Sequence, residues 1–326
     1  MKNKIILLSF LLINFVFSQS LSTKQGGFVR IGYGAYGMSL GNALSSVDNG
    51  YANSLYNPAL SSFSVNNKLD LDYTFLSLDR KLNFLSFSKY FEKKQYRNEK
   101  DPLRTAISIG LVNSGVSNIE ERNDNGDFLR TISTTENLFF LNVSNQFSKK
   151  ITFGITIKYY YYSLYKDVKA DAVGVDLGLL YKFNPNLNFS FSIFDLNSAY
   201  RWDTSPIYRE YGGNYKEDFP IIKRFGLAYN NKVNDNISYL IACDYDIYDS
   251  KSKYLKMGLE LSYDDLFFFR TGMDRLDFSN KDDYKYSFGF GIMQNMFNYN
   301  VRINYGYIVE PYSLENIHIL GINVVL

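Results

Sequence analysis

Cysteine, histidine and tryptophan are almost missing from this chain, which carries one of each in 326 residues. A lone Cys243 excludes an internal disulfide. A lone His318 leaves no histidine and cysteine cluster at metal-ligand spacing, and any Ser-His-Asp arrangement would have to pass through that one ring. An excess of one charge is missing too. The formal net charge is +2, so the chain lacks the basic footprint of a nucleic-acid binder. Proline is scarce, with six residues, and none interrupts the alternating runs described below. Beyond the N-terminal segment, no stretch approaches the roughly 18 consecutive apolar residues of a membrane helix.

What the chain has in excess is tyrosine and phenylalanine, 29 and 27 residues, with aromatics at 17%. Mean hydropathy is only −0.21, so these rings are not gathered into apolar helices. They alternate with polar residues. In "DYKYSFGFGI", Tyr284, Tyr286, Phe288, Phe290 and Ile292 share one face, and Lys285, Ser287, Gly289 and Gly291 the other. "FNYNVRINYGY" and "ITFGITIKYY" repeat the pattern. A period of two means strands with one apolar and one polar face. Aromatics cluster toward run ends, as at Tyr159 to Tyr162 and Tyr305 to Tyr307, like the interfacial girdles of a membrane barrel. The polar face, rich in Gly, Asn, Ser, Lys and Arg, suits a lumen. A soluble sandwich is the competing reading.

The first residues read as a secretory signal: Lys2 and Lys4, then an apolar run from Ile5 to Phe17, with cleavage expected before Gln19. The expected organisation is a signal peptide over 1–18, an N-terminal lead and hatch over 19–66, and an outer-membrane β-barrel over 67–326. Fourteen strand-length runs are expected: 68–78, 81–91, 103–113, 137–147, 150–165, 172–183, 186–199, 221–232, 235–247, 253–264, 265–275, 283–294, 297–308 and 316–326. An even count and lengths of about 9–11 residues fit a bacterial barrel. Short joins such as "NPN" and "DD" alternate with longer ones around 114–136 and 200–220. The longer joins are expected to face outward. The join "LDR" departs from this rule by being short on the outer side.

The segment Phe28 to Phe63 has neither strict alternation nor a helical period, and is rich in Gly, Ala, Ser and Asn. Its text, "FVRIGYGAYGMSLGNALSSVDNGYANSLYNPAL", resembles the N-terminal signature of the PorV/PorQ family, within the broader FadL-like outer-membrane barrels. Phe28, Ile31, Gly32, Gly34 and Ala35 match the opening block, Gly41 and Ala43 the second, and Asn57-Pro58-Ala59 the third. Spacing between blocks is preserved over about 35 residues. Tyr36 stands where the family has Arg, Ser39 and Asn42 where it has Gly, Leu40 for Met, Asn49-Gly50 for Asp-Asp and Tyr56 for Trp. The resemblance implies a fourteen-stranded barrel with a hatch inside it, whose motif residues are Gly32, Gly34, Gly41, Asn57, Pro58 and Ala59. Pro58 would end the hatch, and the Asn57 side chain would bond nearby backbone in a turn.

The same resemblance implies a non-enzymatic accessory barrel of type IX secretion. Its partners would be outer-membrane lipid, other outer-membrane or secretion-system proteins, and cargo with C-terminal sorting domains. Loop residues Asp203, Tyr208, Tyr211, Tyr215 and Asp218 are the candidates for partner contact. The alternative is a FadL-like channel for hydrophobic small molecules, and a third reading is a surface adhesion or structural protein. A channel needs an apolar pocket beside the hatch and a break in the wall, where glycine or proline usually interrupts a strand. The inward face is expected to carry Lys158, Asp176, Lys182, Arg224, Asp244, Asp246, Glu260 and Arg302, paired with one another and with the hatch. No catalytic set, metal or cofactor is expected.

Overall fold

A computed structural model describes residues 24–63, 66–92, 103–165, 168–249, 252–277, 284–296 and 299–326. The expected signal segment, 1–18, lies outside the described residues. No helix among the described residues is long and apolar enough to cross a membrane; the chain is built from strands. Seven run in order as β1 (Lys68–Phe75), β2 (Arg80–Glu92), β3 (Arg104–Arg122), β4 (Phe128–Gln146), β5 (Ile151–Tyr165), β6 (Val168–Lys182) and β7 (Leu187–Leu196). A short hairpin follows, β8 (Ala199–Asp203) and β9 (Asn214–Asp218). Seven more complete the chain: β10 (Ile222–Lys232), β11 (Ile237–Tyr248), β12 (Lys253–Tyr263), β13 (Phe267–Leu276), β14 (Lys285–Met296), β15 (Tyr299–Ile308) and β16 (Ile317–Val325).

Each ring strand pairs antiparallel with its neighbours, and β10 pairs directly with β7 across the interposed hairpin. β1 pairs with β16, Leu71 opposite Ile322 and Tyr73 opposite Leu320, which closes the ring at fourteen strands. Closure removes every edge, so all wall backbone groups find partners without water.

The alternation read from the sequence is the alternation of the wall. Ile155, Ile157 and Tyr159 on β5 stand exposed on the outside, while Thr156, Lys158 and Tyr160 between them are buried. On β14, Tyr286, Phe288 and Ile292 are outside and Ser287 is buried. A contiguous apolar outer band of this extent is the surface that hydrocarbon covers. Cys243 lies half-buried in β11 beside the outward Ile241 and Tyr245.

Three expected boundaries are corrected. The join expected at 114–136 is mostly strand: β3 and β4 have 19 residues each and pair as far as Arg122 and Phe128. Only about 9–11 residues are needed to cross, so the ladder continues past the bilayer as a free hairpin. Its outer residues face water on both sides and lose the apolar alternation that marks a membrane strand. The join implied between the expected strands 150–165 and 172–183 is likewise mostly absorbed, because β6 begins at Val168. The 200–220 connection contains β8 and β9, with β8 added to the edge of β6 at Ala170 and Asp171.

The protruding hairpin contributes no residue to the apolar core, and the Tyr165 hydroxyl of β5 donates to its Glu121. Replacing residues 118–132 by Asn-Gly, a two-residue hairpin turn, is expected to shift unfolding by less than about 0.5 kcal/mol. Urea titration of the lipid-embedded protein checks this; a larger loss means that the hairpin supports the wall.

Residues 28–63 pack against the inward faces of the strands. They form a 3-10 turn at Phe28–Arg30, a short helix at Gly34–Ser39 and a 3-10 helix at Pro58–Phe63. The main apolar core lies here, inside the ring: Leu40, Leu44, Leu55 and Leu60 of this segment meet Leu138, Phe140 and Leu180 of the wall.

Candidate functional site in the barrel lumen

Asn57, Pro58 and Ala59 lie against β4, β5 and β6. The Asn57 amide donates to the carbonyls of Ser45 at 2.7 Å and Leu179 at 3.3 Å, and its Oδ1 accepts from the Ala59 N–H at 2.9 Å. That last bond is the side-chain turn expected of Asn before Pro. Pro58, which has no N–H to lose, opens the 3-10 helix. The carbonyls of Pro58 and Ala59 accept from the Asn142 amide at 3.0 Å and the Ser144 hydroxyl at 2.8 Å. The wall makes room with glycine. A Cβ on Gly154 would stand 2.1 Å from the Pro58 carbonyl oxygen, and one on Gly178 would stand 2.1 Å from Asn57 Oδ1.

The other motif residues are also buried in the lumen. Gly32 has φ +124°, a conformation open to glycine. Gly34, at φ +73°, opens the short helix, whose first turn is met by the Asp72 carboxylate accepting from the Ala35 N–H at 2.7 Å. The Gly41 N–H donates to the Ser287 hydroxyl at 3.1 Å. Ser45 gives Asp244 both its N–H, at 3.0 Å, and its hydroxyl, at 2.7 Å. The Tyr56 hydroxyl accepts from the Tyr33 N–H at 3.0 Å and donates to Asn42 Oδ1 at 2.6 Å.

Wall charges stand between these contacts in three groups, beside the buried Lys68–Asp70 pair of β1 at 3.2 Å. Lys158 pairs with Asp176 at 2.8 Å and Asp195 at 3.1 Å. Arg224 grips Asp246 with two bonds, 2.6 and 2.7 Å, and Lys256 shares that carboxylate at 3.0 Å. Arg270 and Arg302 both reach Glu260 Oε2, at 2.5 and 2.8 Å. Arg270 Nη2 and Arg302 Nε meet no hydrogen-bond acceptor among the described residues. Aromatic faces lie against them: the Arg270 and Arg302 guanidinium carbons are 4.7 and 5.0 Å from the Tyr36 ring centre, and that of Arg302 is 3.6 Å from that of Phe268. Ring faces attract cations shielded from water.

A cavity of about 40 Å³ remains between Gly32, Tyr33 and Tyr56 on one side and Lys158, Asp195 and Arg224 on the other. It has room for about three waters, and Val29, Leu55, Phe194 and Ile222 share its lining with the polar groups. A channel needs an apolar pocket beside this segment, and in this small cavity ion-paired groups, Lys158 with Asp195 and Arg224 with Asp246, share the lining.

All eight charges assigned to the inward face from sequence point inward, Lys182 by pairing with Asp48. Sequence reasoning missed Asp70, Asp72, Lys256, Arg270 and Asp274, although each sits at the inward parity of its strand. Asp195 could not be found by parity. It follows the equally buried Phe194 at a bulge, where Asp195 and Asn197 take φ +58° and +60°. The β6–β7 ladder resumes beyond it, with Val175 opposite Leu196.

The loop residues stand elsewhere. Asp203, Tyr208, Tyr211, Tyr215 and Asp218 belong to the β8–β9 hairpin, with the three tyrosines exposed. Asp203 accepts from the Ser205 N–H at 2.9 Å, which holds its carboxyl below the usual range, and Asp218 pairs with Lys216. They do not converge on the lumen cavity. His318 lies on the outer face, its Nδ1 2.7 Å from the Tyr305 hydroxyl and its ring beside Tyr307.

No family model matches the chain, and no curated protein matches it. Solved structures do. The CymD monoaromatic hydrocarbon channel is similar with a TM-score of 0.56 and 12% identity, covering 90% of this chain and 96% of that one. The toluene transporter TodX of Pseudomonas putida matches at 0.55 and 14%, covering 90% and 96%. The toluene transporter TbuX of Ralstonia pickettii matches at 0.55 and 13%, covering 91% and 98%. The fold is thus that of FadL-type barrels of the outer membrane. The expectation of a secretion scaffold is overturned: the similar barrels are hydrocarbon channels and transporters. Of the matching signature residues, all but the half-buried Ile31 are buried in the lumen packing.

Proposed function

We propose that this barrel is a passage for small hydrophobic molecules across the outer membrane, held shut by residues 28–63 acting as a hatch. The observation that carries the reading is the likeness, over about nine-tenths of this chain and more of the others, to channels and transporters of monoaromatic hydrocarbons. The PorV/PorQ-like signature is read here as the text of the hatch itself. Gly34, Gly41, Asn57, Pro58 and Ala59 seat backbone against the wall, and Gly32 packs within the segment against Met38 and Asn42. The bulge at Asp195 is an irregularity of the β6–β7 ladder, and the Asp195 carboxylate is tied to Lys158 and to the Tyr160 hydroxyl beside the inner cavity. A cavity of about 40 Å³ is smaller than the ~150 Å³ that holds benzene in an engineered apolar site, so the described state is closed and passage requires the hatch to move.

Uptake of radiolabelled toluene by cells carrying this barrel in their outer membrane tests the reading. Uptake at limiting concentration is expected to exceed that of empty-vector cells. Equal uptake contradicts the proposal.

A further inference from the structure

A second cavity, of about 280 Å³, opens at the end of the barrel that carries the longer connections. Its apolar floor is Ile31 of the N-terminal segment, Leu76 after β1 and Ile317 at the start of β16. Below that floor lies a small apolar cluster of Ala35, Met38, Ile308 and Ile319. Its rim is polar. Lys285 pairs with Glu310 at 2.5 Å, Arg80 donates to the Ser77 carbonyl and hydroxyl at 3.1 Å each, and Glu315 completes the charged set. The Ser313 hydroxyl bonds that of Ser77 at 2.8 Å, which ties the β15–β16 loop to the β1–β2 turn and gives the cavity a fixed outline.

Two features of this lining select a ligand class. The volume exceeds the ~150 Å³ that suffices for one benzene ring, and three aliphatic side chains form a floor on which a ring can lie. A bare hydrocarbon would leave the rim facing apolar surface, at a desolvation cost with no return. With two bases, Arg80 and Lys285, against two acids, Glu310 and Glu315, the rim is balanced in charge and offers no net attraction to an ion of either sign. A neutral hydroxyl fits both partners of the ion pair, because it donates to the Glu310 carboxylate and accepts from the Lys285 ammonium.

We propose that this outer cavity is a binding site for a phenol, with its ring on Ile31, Leu76 and Ile317 and its hydroxyl beside the Lys285–Glu310 pair, using the hydrogen-bonding positions that the pair leaves free. The site deepens the passage reading and rests on it only for the direction of travel. Ile31 floors the outer cavity, while its neighbours Gly32 and Tyr33 line the inner one. One turn of chain therefore separates the two, hinged at a glycine with φ +124°.

The test is direct binding to the full mature chain in lipid nanodiscs, read by ¹⁹F NMR with 4-fluorophenol and 4-fluorotoluene, against empty nanodiscs. Saturable binding of 4-fluorophenol, tighter than that of 4-fluorotoluene, is expected. Glu310→Gln and Lys285→Met should each weaken the phenol about tenfold, the scale of one charge-assisted hydrogen bond, and leave 4-fluorotoluene unchanged. Leu76→Trp, which fills the cavity from the wall, should abolish both. Equal affinity for the two probes, or phenol binding indifferent to both rim variants, overturns the proposal. Toluene uptake by cells is scored separately. Uptake without phenol preference sinks this site and spares the passage, and phenol binding without uptake does the reverse.

Discussion

In planar bilayers, the barrel lacking residues 28–60 is expected to conduct ions at least about tenfold better than the intact chain. The expectation follows from what fills the lumen. Fourteen strands enclose a bore between the side-chain-filled eight-stranded barrels and the water-filled porins of sixteen or more. Here the bore is occupied by Leu40, Leu44, Leu55, Tyr56 and Leu60, packed against Leu138, Phe140 and Leu180. Removing them exposes an inner wall rich in charge, with Lys158, Arg224, Asp244, Asp246 and Glu260 ready to hydrate. The wall itself should survive, because every ring strand keeps its hydrogen-bonded neighbours. Unchanged conductance, with the barrel folded, would mean that the wall collapses to fill the space and that the segment is not what closes it.

Arg224→Met is expected to cost about 3 kcal/mol or more of unfolding free energy, because it strands a buried carboxylate. Arg224 supplies two of the bonds to Asp246, at 2.6 and 2.7 Å, and Asp246 is 0% exposed. Lys256 remains at 3.0 Å but carries a point charge that cannot replace a planar fork. The guanidinium also stacks on Phe194 at 4.9 Å and reaches the Tyr56 carbonyl at 3.4 Å, so its loss loosens the N-terminal segment as well. The double variant Arg224→Met, Asp246→Leu should cost less than the single one, since it removes the stranded charge. Urea unfolding of both variants in lipid vesicles checks the ordering. A single variant at wild-type stability would mean that water already solvates this group.

The wall was legible because hydrocarbon on one side and packed lumen on the other force a period of two. β5 runs Ile151–Tyr165 where 150–165 was expected, and β10 runs Ile222–Lys232 where 221–232 was expected. Legibility fails where those two environments end. Residues 117–134 continue a ladder in water, so "SNIEERNDNGDFLRTIST" carries no apolar parity and reads as a loop although it pairs. Asp195 breaks parity locally at a bulge, and its neighbour Phe194 is buried on the same side. The motif "SLYNPAL" was legible as a turn, yet its purpose depends on Gly154 and Gly178, nearly a hundred residues or more away, which only the folded wall brings to Asn57 and Pro58. The functional assignment was the least legible part. The resemblance of the N-terminal signature pointed to secretion, whereas the shape of the whole barrel is shared with hydrocarbon channels.

A disulfide across the lumen tests most directly whether passage requires this segment to leave the wall. The hydroxyls of Ser45 and Ser190 lie 2.7 Å apart, one on the N-terminal segment and one on β7. In a Cys243→Ser background, S45C with S190C should cross-link on oxidation. Toluene uptake should then fall to the empty-vector level and return on reduction. A fully formed cross-link that leaves uptake unchanged would contradict the account.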